Sequence, residues 1–307
     1  MQVVVVGAGV VGLSCAALLA EAGHRVELRA AHAPLDTTSA VAAALWYPYR
    51  AHPRQRVTAW GASTYAALSE LAASTPDSGV RLRAGTELLR APADRPWWAD
   101  AVPDLQRLDR PPTGYVGGWC FTAPVIDMSR YLPWLQLRVE RAGGIFTRCR
   151  LPSLPADAEL VVNASGLAAR ELVGDDTVAP VRGQVLVLDQ IGLDRWWLDE
   201  SGPTYVVPRE RDIVVGGSDE EGSADLAVDD EQATAILRRA ADLVPDLFAA
   251  RVLAHRVGLR PARPTVRLER LQGAAGPPVV HCYGHGGAGV TLSWGCAEEV
   301  RGLVGPP

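Results

Sequence analysis

The hydrophobic pattern is strongest at the two ends of the chain. Four consecutive valines, Val3 to Val6, precede the run Gly7-Ala8-Gly9-Val10-Val11-Gly12. An alanine- and leucine-rich stretch follows to Ala22, Gly23 interrupts it, and Arg25-Val26-Glu27-Leu28 alternates polar with apolar. This spacing predicts a buried strand, a tight turn, a helix with a glycine stop and a second strand, all within about thirty residues. Near the other end, Val279-Val280-His281-Cys282 predicts another apolar strand. It runs into Tyr283-Gly284-His285-Gly286-Gly287-Ala288-Gly289-Val290-Thr291, with four glycines in six residues, and then into a helical stretch ending near Val304. Glycine at that density means that the backbone takes positive φ or approaches something closely.

The first pattern is chemically specific. Gly-x-Gly-x-x-Gly between a strand and a helix is a cradle for a dinucleotide's pyrophosphate. Gly7 makes the turn, Gly9 admits the phosphate to the backbone, and Gly12 lets the helix pack closely. The helix N-terminus adds free N–H groups and the positive end of its dipole. The motif leaves the choice of dinucleotide open. The end of the second strand, where an acid would hold a ribose, carries Arg29, which suits the 2'-phosphate of NADP. Further on, Gly258-Leu259-Arg260-Pro261-Ala262-Arg263-Pro264, with Arg267 beyond, sets guanidinium groups on a segment stiffened by proline. Arginine grips a carboxylate through two parallel hydrogen bonds, so a carboxylate-bearing substrate is expected.

Composition removes other chemistries. All 30 basic residues among the 307 are arginine, which excludes a pyridoxal Schiff base and the usual lysine-bearing P-loop. A net charge of -5 gives no general attraction for nucleic acid or an anionic membrane surface. Cys15, Cys120, Cys149, Cys282 and Cys296 form no CxxC pair, so free thiols and a cytoplasmic setting are expected. Val3 to Ala20 is an uncharged run of 18 residues, but its three glycines and the lack of a preceding basic residue argue against a membrane span or signal peptide. His281, Cys282 and His285 on a strand and glycine loop make a poor metal set, and no metal is expected.

Six blocks occur in order: the glycine turn, Ala42-Ala43-Ala44-Leu45-Trp46-Tyr47-Pro48-Tyr49, Val162-Asn163-Ala164-Ser165-Gly166, Arg182-Gly183-Gln184, Gly258-Leu259-Arg260-Pro261, and the glycine-rich block from His281 to Thr291. Together they resemble the D-amino-acid oxidase family over nearly the whole chain, with Cys282 where the family usually has Asn, His or Ala. The resemblance implies an α/β fold in which a Rossmann-like FAD-binding domain (residues 1–45, 125–183 and 256–307) is interleaved with a mixed-sheet α+β substrate-binding domain (46–124 and 184–255). It implies non-covalent FAD. Gly7, Ala8, Gly9, Val10 and Gly12 would meet the pyrophosphate, and Thr37, Thr38, Ala44 and Leu45 the ribityl chain and flavin. Leu151 would lie on the adenine side, Ser165 and Arg182 at further parts of the cofactor, and Gly286, Gly289, Val290 and Thr291 at the isoalloxazine.

By the same resemblance, Arg260 and the Tyr205 hydroxyl hold the carboxylate of a D-amino acid, and the Gly287 carbonyl accepts from its amine. Neither side chain is a base, so hydride transfer from the neutral amine, driven by orientation, is the expected step. Oxygen then takes the electrons to give hydrogen peroxide, and the imino acid hydrolyses to a keto acid and ammonia. Two positions depart from the family: Ser201 replaces the lid tyrosine of vertebrate members, and Arg29 replaces the ribose-binding acid. In the sister D-aspartate oxidases an arginine follows the glycine pair, whereas Gly216-Gly217 here leads into Ser218-Asp219-Glu220-Glu221. Asp219 should repel acidic substrates, so neutral or basic side chains are expected. A glycine- or sarcosine-type amine oxidase is the alternative, although sarcosine oxidases use a lysine that this chain lacks. In an NADP-linked reductase or a non-catalytic flavoprotein, Arg260 and Tyr205 need not converge. Family members often dimerise, and a homodimer is compatible with the resemblance.

Overall fold

The computed structural model describes residues 1–273 and 276–307. The first half of the chain forms β1 (Gln2–Val6), α1 (Val10–Glu21), β2 (Arg25–Ala30), α2 (Thr38–Val41), α3 (Arg54–Ser74), β3 (Val80–Leu89), β4 (Gln106–Arg107), β5 (Gly117–Ile126), α4 (Met128–Arg141) and β6 (Ile145–Arg148). Then come β7 (Leu160–Asn163), α5 (Ala169–Leu172), β8 (Ala179–Asp189), β9 (Trp196–Asp199), β10 (Thr204–Pro208), β11 (Asp212–Gly216) and β12 (Glu220–Glu221). The chain ends with α6 (Asp230–Leu243), β13 (Val252–Ala262), β14 (Arg267–Leu271), β15 (Val279–Tyr283) and α7 (Gly289–Val304).

The strands form two sheets. The first has the order β14-β15-β7-β1-β2-β6 and is parallel except for β14. The second runs β12-β8-β11-β10-β9-β3-β5-β4, with β13 along the other edge of β8, and is mixed because β3 and β9 are parallel. The expected α/β class, with two mixed sheets, is therefore what the chain adopts. All strands of the first sheet fall within 1–45, 125–183 and 256–307, but β5, β8 and β13 run across those limits. Residues 179–183 of β8 pair with 258–262 of β13, so both stretches belong to the second sheet.

Alternation decides which way each strand faces. Val3 and Val5 of β1 join the core built on α1, α4 and α7, while Val4 and Val6 pack on the other side with Leu151, Leu154 and Leu172. The second sheet turns Val206, Ile213 and Val215 toward Ala233, Ile236 and Ala240 of α6. Its opposite face is left for the site, with Tyr205 and Val207 of β10 projecting into it. Helix α1 shows no polar face because it is covered on all sides, with ten of its 12 residues buried. That accounts for the long uncharged run, and no described helix is long and apolar enough to cross a membrane. Asp127 and Asp229 cap α4 and α6, accepting from Ser129 N at 3.0 Å and Gln232 N at 2.9 Å. The five cysteines are free thiols.

Candidate active site

A cavity of about 1110 Å³ extends from the glycine turn before α1 to the inward face of the second sheet. It exceeds the roughly 300–1,000 Å³ of ordinary small-molecule sites, which leaves room for a dinucleotide together with a small substrate.

At the first end, Gly7 has φ of +112°, and a Cβ there would stand 2.4 Å from the Ala164 carbonyl oxygen. Only glycine lets the chain turn so tightly beneath the end of β7. Gly7, Ala8, Gly9 and Val10 line the cavity, so the positive end of the α1 dipole faces it. These features accept a dinucleotide's phosphates. Gly12 does not line the cavity, and its expected contact with the pyrophosphate gives way to a packing role. A Cβ at Gly12 would lie 1.8 Å from the Gly7 oxygen, so this residue seats the helix against the turn.

Thr37, Thr38, Ala44, Leu45, Leu151 and Ser165 also line the cavity, as do Gly286, Gly287, Gly289, Val290 and Thr291. Several of these hydroxyls already donate within the protein: Thr38 to the Leu259 carbonyl at 3.1 Å, Ser165 to Asn163 Oδ1 at 2.6 Å and Thr291 to the Tyr47 carbonyl at 2.9 Å. Their remaining lone pairs and the nearby backbone are what they offer a ligand.

Three expectations are corrected here. Arg182 does not line the cavity, because successive residues of β8 face opposite ways and Gly183 takes the inward position. Its guanidinium is buried against Glu220 at 2.5 Å, Gln232 at 2.8 Å and the Ala227 carbonyl at 2.6 Å. Arg29 lines the cavity, but Asp157 holds it at 2.8 and 2.9 Å and Glu27 at 2.7 Å. These two carboxylates raise its hold on the proton and occupy the donors that a 2'-phosphate would need. Asp219, the acid expected to meet substrate, does not line the cavity. It pairs with Arg50 and accepts from the Tyr49 hydroxyl at 2.8 Å.

The second sheet has a trough made by missing side chains. The Tyr205 ring lies over Gly216, where a Cβ would stand 2.1 Å from Cζ, and the Arg260 guanidinium lies over Gly183, where a Cβ would stand 2.4 Å from Nη2. Arg260 donates to the Ser218 carbonyl at 3.0 Å and lies 3.6 Å from Asp219. Arg263 and Arg267 turn instead to Asp175, at 3.0 and 3.6 Å, so Arg260 is the one of the three that lines the cavity. Burial pushes the Tyr205 phenol up, and the Arg260 charge only partly opposes this. Tyr205 therefore keeps its proton near neutral pH and acts as a donor.

Several lining residues escaped the sequence reading. Tyr47 and Tyr49 lay within a recognised block, whereas Glu87, Leu198 and Glu200 carry no local signal. Glu87 is 6% exposed and accepts from the Tyr47 hydroxyl at 2.5 Å through Oε1. Burial pushes its carboxyl up to about 7, against the pull of the Tyr47 bond, and Glu200 adds to the rise.

Two buried histidines lie on β15 and in the glycine loop, and His285 also lines the cavity. His281 faces Asn163 at 3.4 Å, and His285 lies 3.9 Å from the Cys282 sulfur. Burial pushes the His285 imidazole down to about 4. Its folded pKa thus lies below the unfolded value of ~6.5, so the unfolded chain takes the proton first as pH falls. Stability is full above ~6.5 and erodes down to about 4. At pH 5 the loss from this group is roughly 2 kcal/mol. Urea midpoints at pH 7.5 and 5 should differ accordingly, and less so in His285→Asn. An equal shift in that variant would remove His285 as the cause.

The comparisons agree with this geometry. Residues 2–303 match the family described as FAD dependent oxidoreductase. The chain is 51% identical to a D-amino-acid oxidase of Rubrobacter xylanophilus and 44% identical to one of Streptomyces coelicolor, with 99% of this chain and 96% of each relative covered. It is 36% identical to human D-aspartate oxidase over 99% of this chain and 94% of the relative. Among solved structures, glycine oxidase from Geobacillus kaustophilus superposes with a TM-score of 0.83 at 22% identity, covering 99% of this chain and 94% of that one, a likeness of fold. A family match spanning residues 2–303, on a chain whose glycine turn and large cavity suit a dinucleotide, places this protein in the FAD-dependent oxidoreductase family.

Proposed function

We propose that the protein oxidises D-amino acids to imino acids, using non-covalently held FAD and molecular oxygen, in the cytoplasm, with neutral or basic side chains favoured over acidic ones. The observation that carries this reading is the convergence of Arg260 and Tyr205 on one wall of the cavity that begins at the glycine turn. The two bacterial D-amino-acid oxidases support it, and the free thiols support a reducing compartment.

Bound FAD supplies a two-electron acceptor for the hydride on the substrate Cα and passes the electrons to oxygen, giving hydrogen peroxide. Gly7, Ala8, Gly9 and Val10 would hold its phosphates, with Thr37, Thr38, Ala44, Leu45, Leu151, Ser165 and the Gly286 to Thr291 loop along the rest. Arg260 grips the substrate carboxylate and Tyr205 donates to the same group, while the Gly287 carbonyl accepts from the amine. With the carboxylate and the amine fixed, and the side chain directed along the cavity wall, the hydrogen on Cα is aimed, and the rate comes from that orientation. The imino acid then takes up water and releases ammonia, leaving a keto acid.

Purified protein with visible flavin absorbance should form peroxide from D-amino acids and not from their L-enantiomers. Glycine or sarcosine as the fastest substrate would move the protein to the amine oxidases. A finer test follows from the trough. Gly216→Ala adds a methyl group under the Tyr205 ring and should cost ~1–3 kcal/mol of positioning, a roughly 5- to 150-fold fall in kcat/KM with flavin content retained. Unchanged kinetics would separate Tyr205 from the substrate.

A further inference from the structure

Tyr205, Leu198 and Glu87 stand side by side on three neighbouring strands. Tyr205 pairs with Leu198 between β10 and β9, and Leu198 pairs with Glu87 between β9 and β3. Paired residues project from the same face of a sheet, and all three line the cavity. At ~4.8 Å per strand, about 10 Å separates the Cα atoms of Tyr205 and Glu87. A substrate gripped at Arg260 and Tyr205 can lay its side chain along this row, its aliphatic part over Leu198 and its end toward Glu87. An extended arginine spans ~6 Å from Cα to its guanidinium carbon, and the Glu87 side chain can bridge the rest.

Glu87 has the surroundings of half an ion pair. One oxygen takes the Tyr47 hydroxyl, while Oε2 is buried with no hydrogen-bond partner among the described residues. The nearby Arg90, just past the end of β3, is held by Asp199 at 2.6 Å, and Tyr115 adds a further bond to Asp199 at 2.8 Å. Glu200 lines the same cavity and accepts the Arg90 backbone N–H at 3.2 Å, adding negative charge. A buried carboxylate without a counter-charge is costly, and a cation that enters with the substrate relieves that cost.

We propose that Glu87, backed by Glu200, is the recognition site for a positively charged substrate side chain, ammonium or guanidinium. This rests on the oxidase reading above and moves the basis of the preference for basic side chains from Asp219 to the far end of the Tyr205 row. The test compares D-arginine with D-citrulline, which has nearly the same shape but no charge, and includes D-alanine as reference, all by peroxide formation. The wild-type enzyme should favour D-arginine over D-citrulline by at least ~10-fold in kcat/KM. In Glu87→Gln that ratio should fall to about 1–2, and in Glu200→Gln it should fall by a smaller factor. A wild-type ratio of one or less overturns the proposal without recourse to any variant. So does a Glu87→Gln enzyme that loses activity equally toward all three substrates, because that marks a general catalytic or structural role. An enzyme that oxidises D-alanine but does not prefer D-arginine overturns this subsite alone, whereas one that oxidises none of the three overturns the oxidase reading as well.

Discussion

Arg260→Leu should lower kcat/KM for D-alanine by ~30-fold at the least and by as much as several thousand-fold, the equivalent of ~2–5 kcal/mol for removing one partner of a buried, hydrogen-bonded charge pair. The fold should survive the change. Asp219, whose Oδ1 lies 3.6 Å from Arg260, keeps Arg50 and the Tyr49 hydroxyl on its other oxygen, so its charge stays paired. Flavin content should remain at the wild-type level, because Arg260 lies on the second sheet and the change leaves the glycine turn of the first sheet intact. Arg260→Lys should recover only part of the loss, since an ammonium keeps the charge but cannot offer two parallel donors to a carboxylate. Steady-state peroxide assays on both variants decide the matter, and unchanged efficiency in Arg260→Leu would remove it from the substrate site.

The second large effect is expected at the glycine turn. Gly7→Ala puts a methyl group 2.4 Å from the Ala164 carbonyl oxygen on a residue with φ of +112°. Both the clash and the strain must be relieved by moving β1 away from the end of β7, at a cost of several kcal/mol. The variant should purify without the yellow of bound flavin, with a thermal midpoint lower by ten degrees or so. Gly12→Ala should behave alike for a different reason, since its methyl group would meet the Gly7 oxygen and lift α1 off the turn. Full flavin content in either variant would mean that the turn does not cradle the cofactor.

What could be read from the chain depended on whether the information was local. The glycine turn, the apolar strand through His281 and Cys282 and the helix that ends at Val304 each announce themselves within a few residues, and each forms as expected. Arg260 and Tyr205 could be singled out because their motifs resemble known ones. Arg182 sits in such a motif too, yet one step along β8 separates an inward from an outward side chain, and the motif does not encode that choice. Asp219 looked like a free acid because Arg50, which neutralises it, lies 169 residues earlier in the chain. Glu87 was invisible for the same reason: its meaning comes from the register of β3 on β9 and of β9 on β10, which no short stretch of sequence carries.

The cavity draws its walls from both sheets, and a single hydrophobic core that includes Val3, Leu13, Phe121, Trp196 and Val207 joins them. Cofactor occupancy and folding are therefore one linked equilibrium. Free FAD at 100 times its dissociation constant adds about 2.7 kcal/mol to the folded state, and that margin disappears as the enzyme is diluted below that constant. Loss of activity on dilution would then report release of FAD from a folded but less stable chain, and restoring the FAD concentration would recover both the activity and the thermal midpoint.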